Sequence, residues 1–328
     1  VFRAKGMKNL VSKGYVEPLN DRLTEEMKTN FGSAIVDGKS RFDGKVYSLA
    51  NSGSTLRLIY NQDLFEAAGV ANPPNTLQEM VDAAKKITEY GKKDGIYGFA
   101  LNFKNPMSAF ERSIREIMQL SGDHAMGYQH KEGQYDFTNY AKAIEYFKQL
   151  HDDGSVLPGS GSLDIDPLRA QFAQGKIGMY LSYSSEPGVY STQFPTEVKW
   201  AAALAPTVDG TIKGASEIIA DGNWLSISAK SAHKDAAWTF LQYMYSDEVL
   251  VPYHENGLGI SVLPHVVAKA KNPELYGIEG FMPTKYDAMW PVFPWVAPEG
   301  PNYADEFYKY MIAGGDLNAI VKDVNDRY

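Results

Sequence analysis

Many residues of this chain could do chemistry, but few stand at spacings that support it. Six histidines, at 124, 130, 151, 233, 254 and 265, include no pair four apart on one helical turn, so no helix offers two imidazoles to a metal. There is no cysteine, which removes thiolate nucleophiles, thiolate metal sites and disulfides together. No G-x-S-x-G elbow, phosphate-binding glycine loop or H-E-x-x-H helix occurs, and Gly53-Ser54 lacks the spacing of a nucleophile turn. Forty Asp and Glu residues leave a glycosidase-type carboxylate pair open, though no motif supports one. The informative excess is aromatic: 21 Tyr and 5 Trp. Each such ring has a flat apolar face and a polar handle, the combination that receives a sugar ring or fills an interface.

The whole-chain balance limits partners. With 32 basic and 40 acidic side chains the net charge is −8, which repels phosphate backbones and argues against nucleic acid. Apolar runs are short, in keeping with buried strands. At 328 residues the chain suits two lobes of ordinary domain size.

Elements that could carry those rings alternate along the chain. Strands are expected at 44–50, 56–61, 98–101, 177–181, 198–204 and 224–228. Helices are expected between them. Thr76 with Glu79 has capping-box spacing, and Met80, Val81, Ala84 and Ile87 then repeat on one face. Further helices are expected at 108–120, 140–150, 167–174 and 233–245. This alternation predicts an α/β fold with largely parallel sheets. No linker separates the lobes, so the chain is expected to cross between them more than once.

Four pieces follow in a characteristic order. Gly44-Lys45-Val46-Tyr47 precedes Tyr60-Asn61-Gln62-Asp63-Leu64-Phe65-Glu66-Ala67-Ala68-Gly69. Pro73-Pro74-Asn75-Thr76-Leu77-Gln78-Glu79 comes next, and later Phe172-Ala173-Gln174-Gly175-Lys176-Ile177-Gly178-Met179 and Ala237-Trp238. In this the chain resembles the family 1 extracellular solute-binding proteins, the group containing maltose-binding protein. The likeness runs from about Gly14 to the C-terminus. It implies a two-lobed periplasmic-binding-protein type II fold, with ligand in a cleft and closure by hinge motion. The lobes are expected at 1–55 with 206–258 and at 56–205 with 259–328, with hinges near 54–58, 203–206 and 258–261. The first matching piece, Tyr15–Leu19, belongs well inside a family member. The N-lobe is therefore expected to lack its first strand and helix.

The resemblance implies a receptor that is not an enzyme and needs no cofactor or metal. It delivers a small solute, a mono- or oligosaccharide, to ABC transporter permease subunits outside the cytoplasm, in the periplasm or as a lipoprotein. Expected ligand contacts are Asn51, Ser54 and Thr55 between two strands, Phe110 and Glu111 as platform and carboxylate, and Tyr183, Ser184 and Glu186 after a strand. Asp221, Asn223 and Trp224, and the loop rings Trp290 and Trp295, complete the set. Because Glu111, Glu186, Glu217 and Asp221 are acidic, a polyamine or other cation stands as the alternative ligand, with a glycoside-cleaving enzyme or a sensory module behind it.

Overall fold

The computed structural model describes residues 2–3, 7–124, 127–129, 132–218, 224–257, 260–261, 263–288 and 300–328. The chain divides into two compact units. The first takes residues 1–55, 217–278 and 282–292, and the second 56–216, 279–281 and 293–328. Residues 206–216, expected in the first lobe, thus pack with the second unit, and 259–278, expected in the second, pack with the first. The cause of the first difference is backbone hydrogen bonding. Thr207 N–H donates to the Asn75 carbonyl at 3.0 Å, and Lys213 N–H to the Leu120 carbonyl at 2.9 Å.

A four-stranded sheet organises the second unit, in the order Trp200–Ala203, Leu56–Asn61, Ile177–Tyr183, Tyr97–Phe99. Its first two pairings are antiparallel and only Tyr97–Phe99 runs parallel to Ile177–Tyr183. The expected largely parallel sheet is therefore corrected. A helical crossover returns a strand parallel only when strand, helix and strand follow in one layer. Here Leu56–Asn61 runs against both of its neighbours, so no crossover connection relates it to either of them.

The Leu77–Gly91 helix covers this sheet. Its first turn carries the expected box: Glu79 N–H donates to Thr76 Oγ1 at 3.0 Å while Glu79 Oε2 accepts from Asn75 and Thr76 N–H groups. The apolar face, with Met80, Val81, Ala84 and Ile87, is fully buried. Strand Tyr97–Phe99 lies so close that a Cβ on Gly98 would stand 1.9 Å from the Ala84 carbonyl oxygen. Glycine is required there by proximity, not by backbone angle.

Helices Tyr140–Asp152, Tyr303–Ala313 and Leu317–Arg327 add an aromatic core of Phe103, Phe110, Phe137, Tyr140, Tyr303 and Phe307. The short return 279–281 docks on the same unit. Arg57, 1% exposed, donates from Nε to the Gly280 carbonyl at 2.9 Å, and a Cβ on Gly280 would meet the Ala202 carbonyl at 2.3 Å.

The first unit holds an antiparallel three-stranded sheet, Phe2–Arg3, Trp224–Ser226 and Leu49–Ala50. Its core gathers Leu19, Phe31, Leu49, Ile227, Trp238, Leu241 and Leu263. Where one strand was expected at 44–50, the chain makes two short ones, Lys45–Val46 and Leu49–Ala50. No described helix is long and apolar enough to cross a membrane.

Candidate functional site

In the second unit the site grows from the end of the Ile177–Tyr183 strand. Side chains alternate across a strand. Met179 and Leu181 enter the aromatic core, and Tyr183, half-buried, packs against the same core. Tyr180 and Ser182 take the other face.

Above Tyr183 runs a helical stretch from Pro106 to Leu120 with a π-helical turn at Glu111–Arg115. Such turns displace the side chains that follow and recur at functional sites. The Arg112 guanidinium carbon lies 5.2 Å from the Tyr183 ring centre. Burial pushes the Tyr183 phenol up, Arg115 and Arg112 pull it down, and Glu111 adds to the rise. Glu111, Arg112, Arg115 and Tyr183 therefore share one locale. The Nε of Arg112 is buried with no hydrogen-bond partner among the described residues. Gln119, 0% exposed, has neither end of its amide answered among them. Leaving a buried polar group unanswered costs about 1–3 kcal/mol, so such groups ask for a reason.

Two expected residues of this unit are placed elsewhere. Phe110 is fully buried, its ring stacked with Tyr140 at 5.8 Å and Phe307 at 5.9 Å and edge-on to Tyr303 at 5.4 Å. Core rings take its faces, so it offers no platform to a solute. Glu186 is also fully buried. It accepts from Arg169 Nη2 at 2.5 Å, Arg169 Nε at 3.0 and 3.1 Å, Ser182 Oγ at 2.7 Å and Tyr180 Oη at 3.1 Å. Burial opposes the charge of Arg169, yet the Glu186 hydrogen bonds and charge hold its pKa above the ordinary value. Glu186 is thus the anchor of an internal ion pair and not a ligand contact. Ser184, 7% exposed, lies between these two environments.

In the first unit, Asn51, Ser54 and Thr55 follow strand Leu49–Ala50. Gly53 ties the segment to Ile260 by two backbone hydrogen bonds, at 2.7 and 3.2 Å. Asn51 Oδ1 and Ser52 Oγ are buried without partners among the described residues, while Thr55 is fully buried and engaged. Trp224 is in register with Ala50 in the central strand and only 4% exposed, so its ring is withdrawn from solvent. Asp221, Asn223, Trp290 and Trp295 lie outside the described residues.

The carboxylates proposed for a cation divide unevenly. Glu186 belongs to Arg169, and Glu217 is paired with Lys39 at 2.7 Å, both side chains 8% exposed. Among the described residues no group of three His, Asp or Glu side chains could hold a metal. A separate hollow of about 270 Å³ opens between Pro73–Asn75 and Ala203–Thr207, and no expected site residue lines it.

Sequence reasoning missed Arg112, Arg115 and Gln119. A signal was present. Ile114, Ile117, Met118 and Leu120 leave the helix apolar on most sides, so polar residues among them had to be buried.

The comparisons agree with this architecture. The sequence model of the bacterial extracellular solute-binding protein family matches residues 4–250, and the chain belongs to that family. A protein of Brucella abortus (strain 2308) described as a binding protein is 24% identical over 324 residues, 96% of this chain and 74% of that one. Among solved structures, a chitin oligosaccharide binding protein superposes with a TM-score of 0.76 at 18% identity, covering 99% of this chain and 81% of the other. An ABC transporter solute binding protein from Thermotoga lettingae, bound with α-D-tagatose, gives 0.72 at 21% identity over 97% and 80%. The two-lobed solute-binding fold is thereby established.

Proposed function

We propose that this protein is the extracytoplasmic substrate-binding component of an ABC importer, that it binds without turnover, and that its solute is a carbohydrate. The observation that carries the reading is the half-buried Tyr183 ring at the strand end, flanked by Arg112 and Glu111. A sugar presents an apolar ring face edged by hydroxyls, which needs an aromatic surface with donors and acceptors beside it. The structurally similar proteins named for chitin oligosaccharide and tagatose support the same class. A polyamine is disfavoured, because Glu186 and Glu217 already hold partners.

Thermal unfolding against mono- and oligosaccharides, with polyamines and amino acids as controls, tests the reading. A solute at one hundred times its Kd adds about 2.7 kcal/mol of stability, visible as a rise in Tm. A rise with one sugar class, and unchanged sugar by chromatography, is expected. A rise with polyamines alone, or cleavage of the sugar, overturns it.

A further inference from the structure

The ionisable groups of the Pro106–Leu120 stretch are unequally matched. Glu111, Arg115 and Glu116 all take part in interactions of their own within the chain. Arg115 also donates from Nε to the Glu111 carbonyl at 3.1 Å. Across from this stretch, Asp164 is held by Lys104 at 3.1 Å and by the Ile165 N–H at 2.9 Å, and Arg112 reaches it only as a weak additional charge. Arg112 is left with Tyr183. It has no ion-paired carboxylate among the described residues, and its Nε is buried without an acceptor.

A guanidinium is charged at every accessible pH and carries five N–H donors in a planar fork. Contact with the ring face uses the charge and the Tyr183 hydroxyl takes up one donor, but Nε and the rest of the fork are left without an acceptor among the described residues. A neutral hydroxyl can accept one N–H, yet it does not balance a charge drawn partly out of water. A carboxylate or phosphate does both, and it meets the fork with two oxygens at once.

We propose that Arg112 is the anion-receiving residue of this site, so that the solute is a sugar or polyol carrying a carboxylate or a phosphate ester, its ring against Tyr183 and its anionic group on Arg112. This rests on the receptor reading above and narrows it.

Calorimetric titration of the full chain with matched pairs tests it: galactose against galacturonate, glucose against glucose 6-phosphate, and inorganic phosphate alone. The acidic member of one pair is expected to bind at least about tenfold more tightly than its neutral parent, with an advantage that shrinks as salt rises. The two pairs separate a carboxylate from a phosphate ester. R112Q should lose about thirtyfold or more toward the acidic member and less than about threefold toward the neutral one. R112K, which keeps the charge and loses the fork, should fall between them and serves if R112Q does not melt cooperatively. Neutral parents that bind as tightly as their acids overturn the proposal and leave the receptor reading standing. Equal losses in R112Q toward both members also overturn it. Phosphate alone binding as tightly as the sugar phosphate keeps Arg112 in its role and removes the sugar. No binding by any member of either pair, nor by any other sugar, overturns both readings.

Discussion

Ser182 and Tyr183 are neighbours in sequence and point to opposite faces of the sheet, so on the proposed function that alternation separates an internal ion pair from the solute side. The Ser182 side carries the Glu186–Arg169 pair, with Ser182 donating to Glu186. The Tyr183 side carries Arg112. Two substitutions separate these roles. Glu186→Ala leaves a mostly buried Arg169 with Asp166 at 3.0 Å as its remaining carboxylate and a long contact to Ser185 Oγ at 3.4 Å, so it should cost about 3–5 kcal/mol in chemical denaturation. Solute affinity at temperatures where the variant is folded should hardly move. Tyr183→Ala should shift the balance the other way, with a smaller loss of stability than Glu186→Ala, since its half-buried ring also packs on the core, and at least about a tenfold loss of affinity, about 1.4 kcal/mol, by calorimetry. An affinity loss in Glu186→Ala without destabilisation would return that carboxylate to the binding site. Tyr183 was legible through the family resemblance, which puts an aromatic ring at the end of this strand. The role of Glu186 was not, because nothing in the spacing says that Arg169 reaches it from another element. Phe110 was misjudged for a related reason: the rings that stack on it come from helices more than twenty residues away.

Elements were legible where their instructions are local. The Thr76 box, the apolar face that follows it and the Ile177–Tyr183 strand after the Gly175 stop depend on residues a few positions apart. Less legible were corners that rest on one side-chain-to-backbone contact outside any repeating pattern, and the His254 corner of the first unit is such a case. His254, 1% exposed, accepts the Ser261 N–H on Nδ1 at 3.1 Å, which requires that nitrogen to be unprotonated. Burial lowers its pKa, with Glu255 opposing. A histidine whose folded pKa lies below its unfolded value of 6.5 contributes stability that is present above that value and lost as pH falls through the folded pKa. Stability should therefore fall between about pH 7 and pH 5, above the range in which the carboxylates titrate. His254→Asn keeps an acceptor at the same branch and removes the proton. Melting at both pH values should show a flatter dependence in this variant. What persists is assigned to His151, whose pKa burial also lowers. An unchanged slope would mean that the His254 corner does not report pH.

At the scale of the molecule, length and the absence of a linker suggest two lobes joined by more than one crossing, and the contacts of the chain divide it into two discontinuous units. The sequence did not carry the attachment of 206–216, which rests on main-chain bonds that any residue can make. The same discontinuity governs how the second unit is completed. Its core begins with Leu56 and Leu58, yet Phe110 and Phe137 are covered by Tyr303 and Phe307, and Phe103 stacks on Tyr308 at 4.5 Å. Between residue 216 and those helices the chain builds most of the other unit. Contacts that far apart in sequence form late, because the loop they close must first be ordered. The last helices are thus structural partners of the core. A chain ending at residue 301 exposes the faces of several large rings at once, more apolar surface than a marginal stability can absorb. It should lose near-ultraviolet circular dichroism and cooperative melting, keep much of its far-ultraviolet signal, and bind a hydrophobic dye. Phe307→Ala, a graded version of the same change, should remain folded and lose about 3–5 kcal/mol. A truncated chain that still melts in one sharp transition would show that the second unit closes its core without the C-terminal helices, and that residues 56–216 are an independent folding unit.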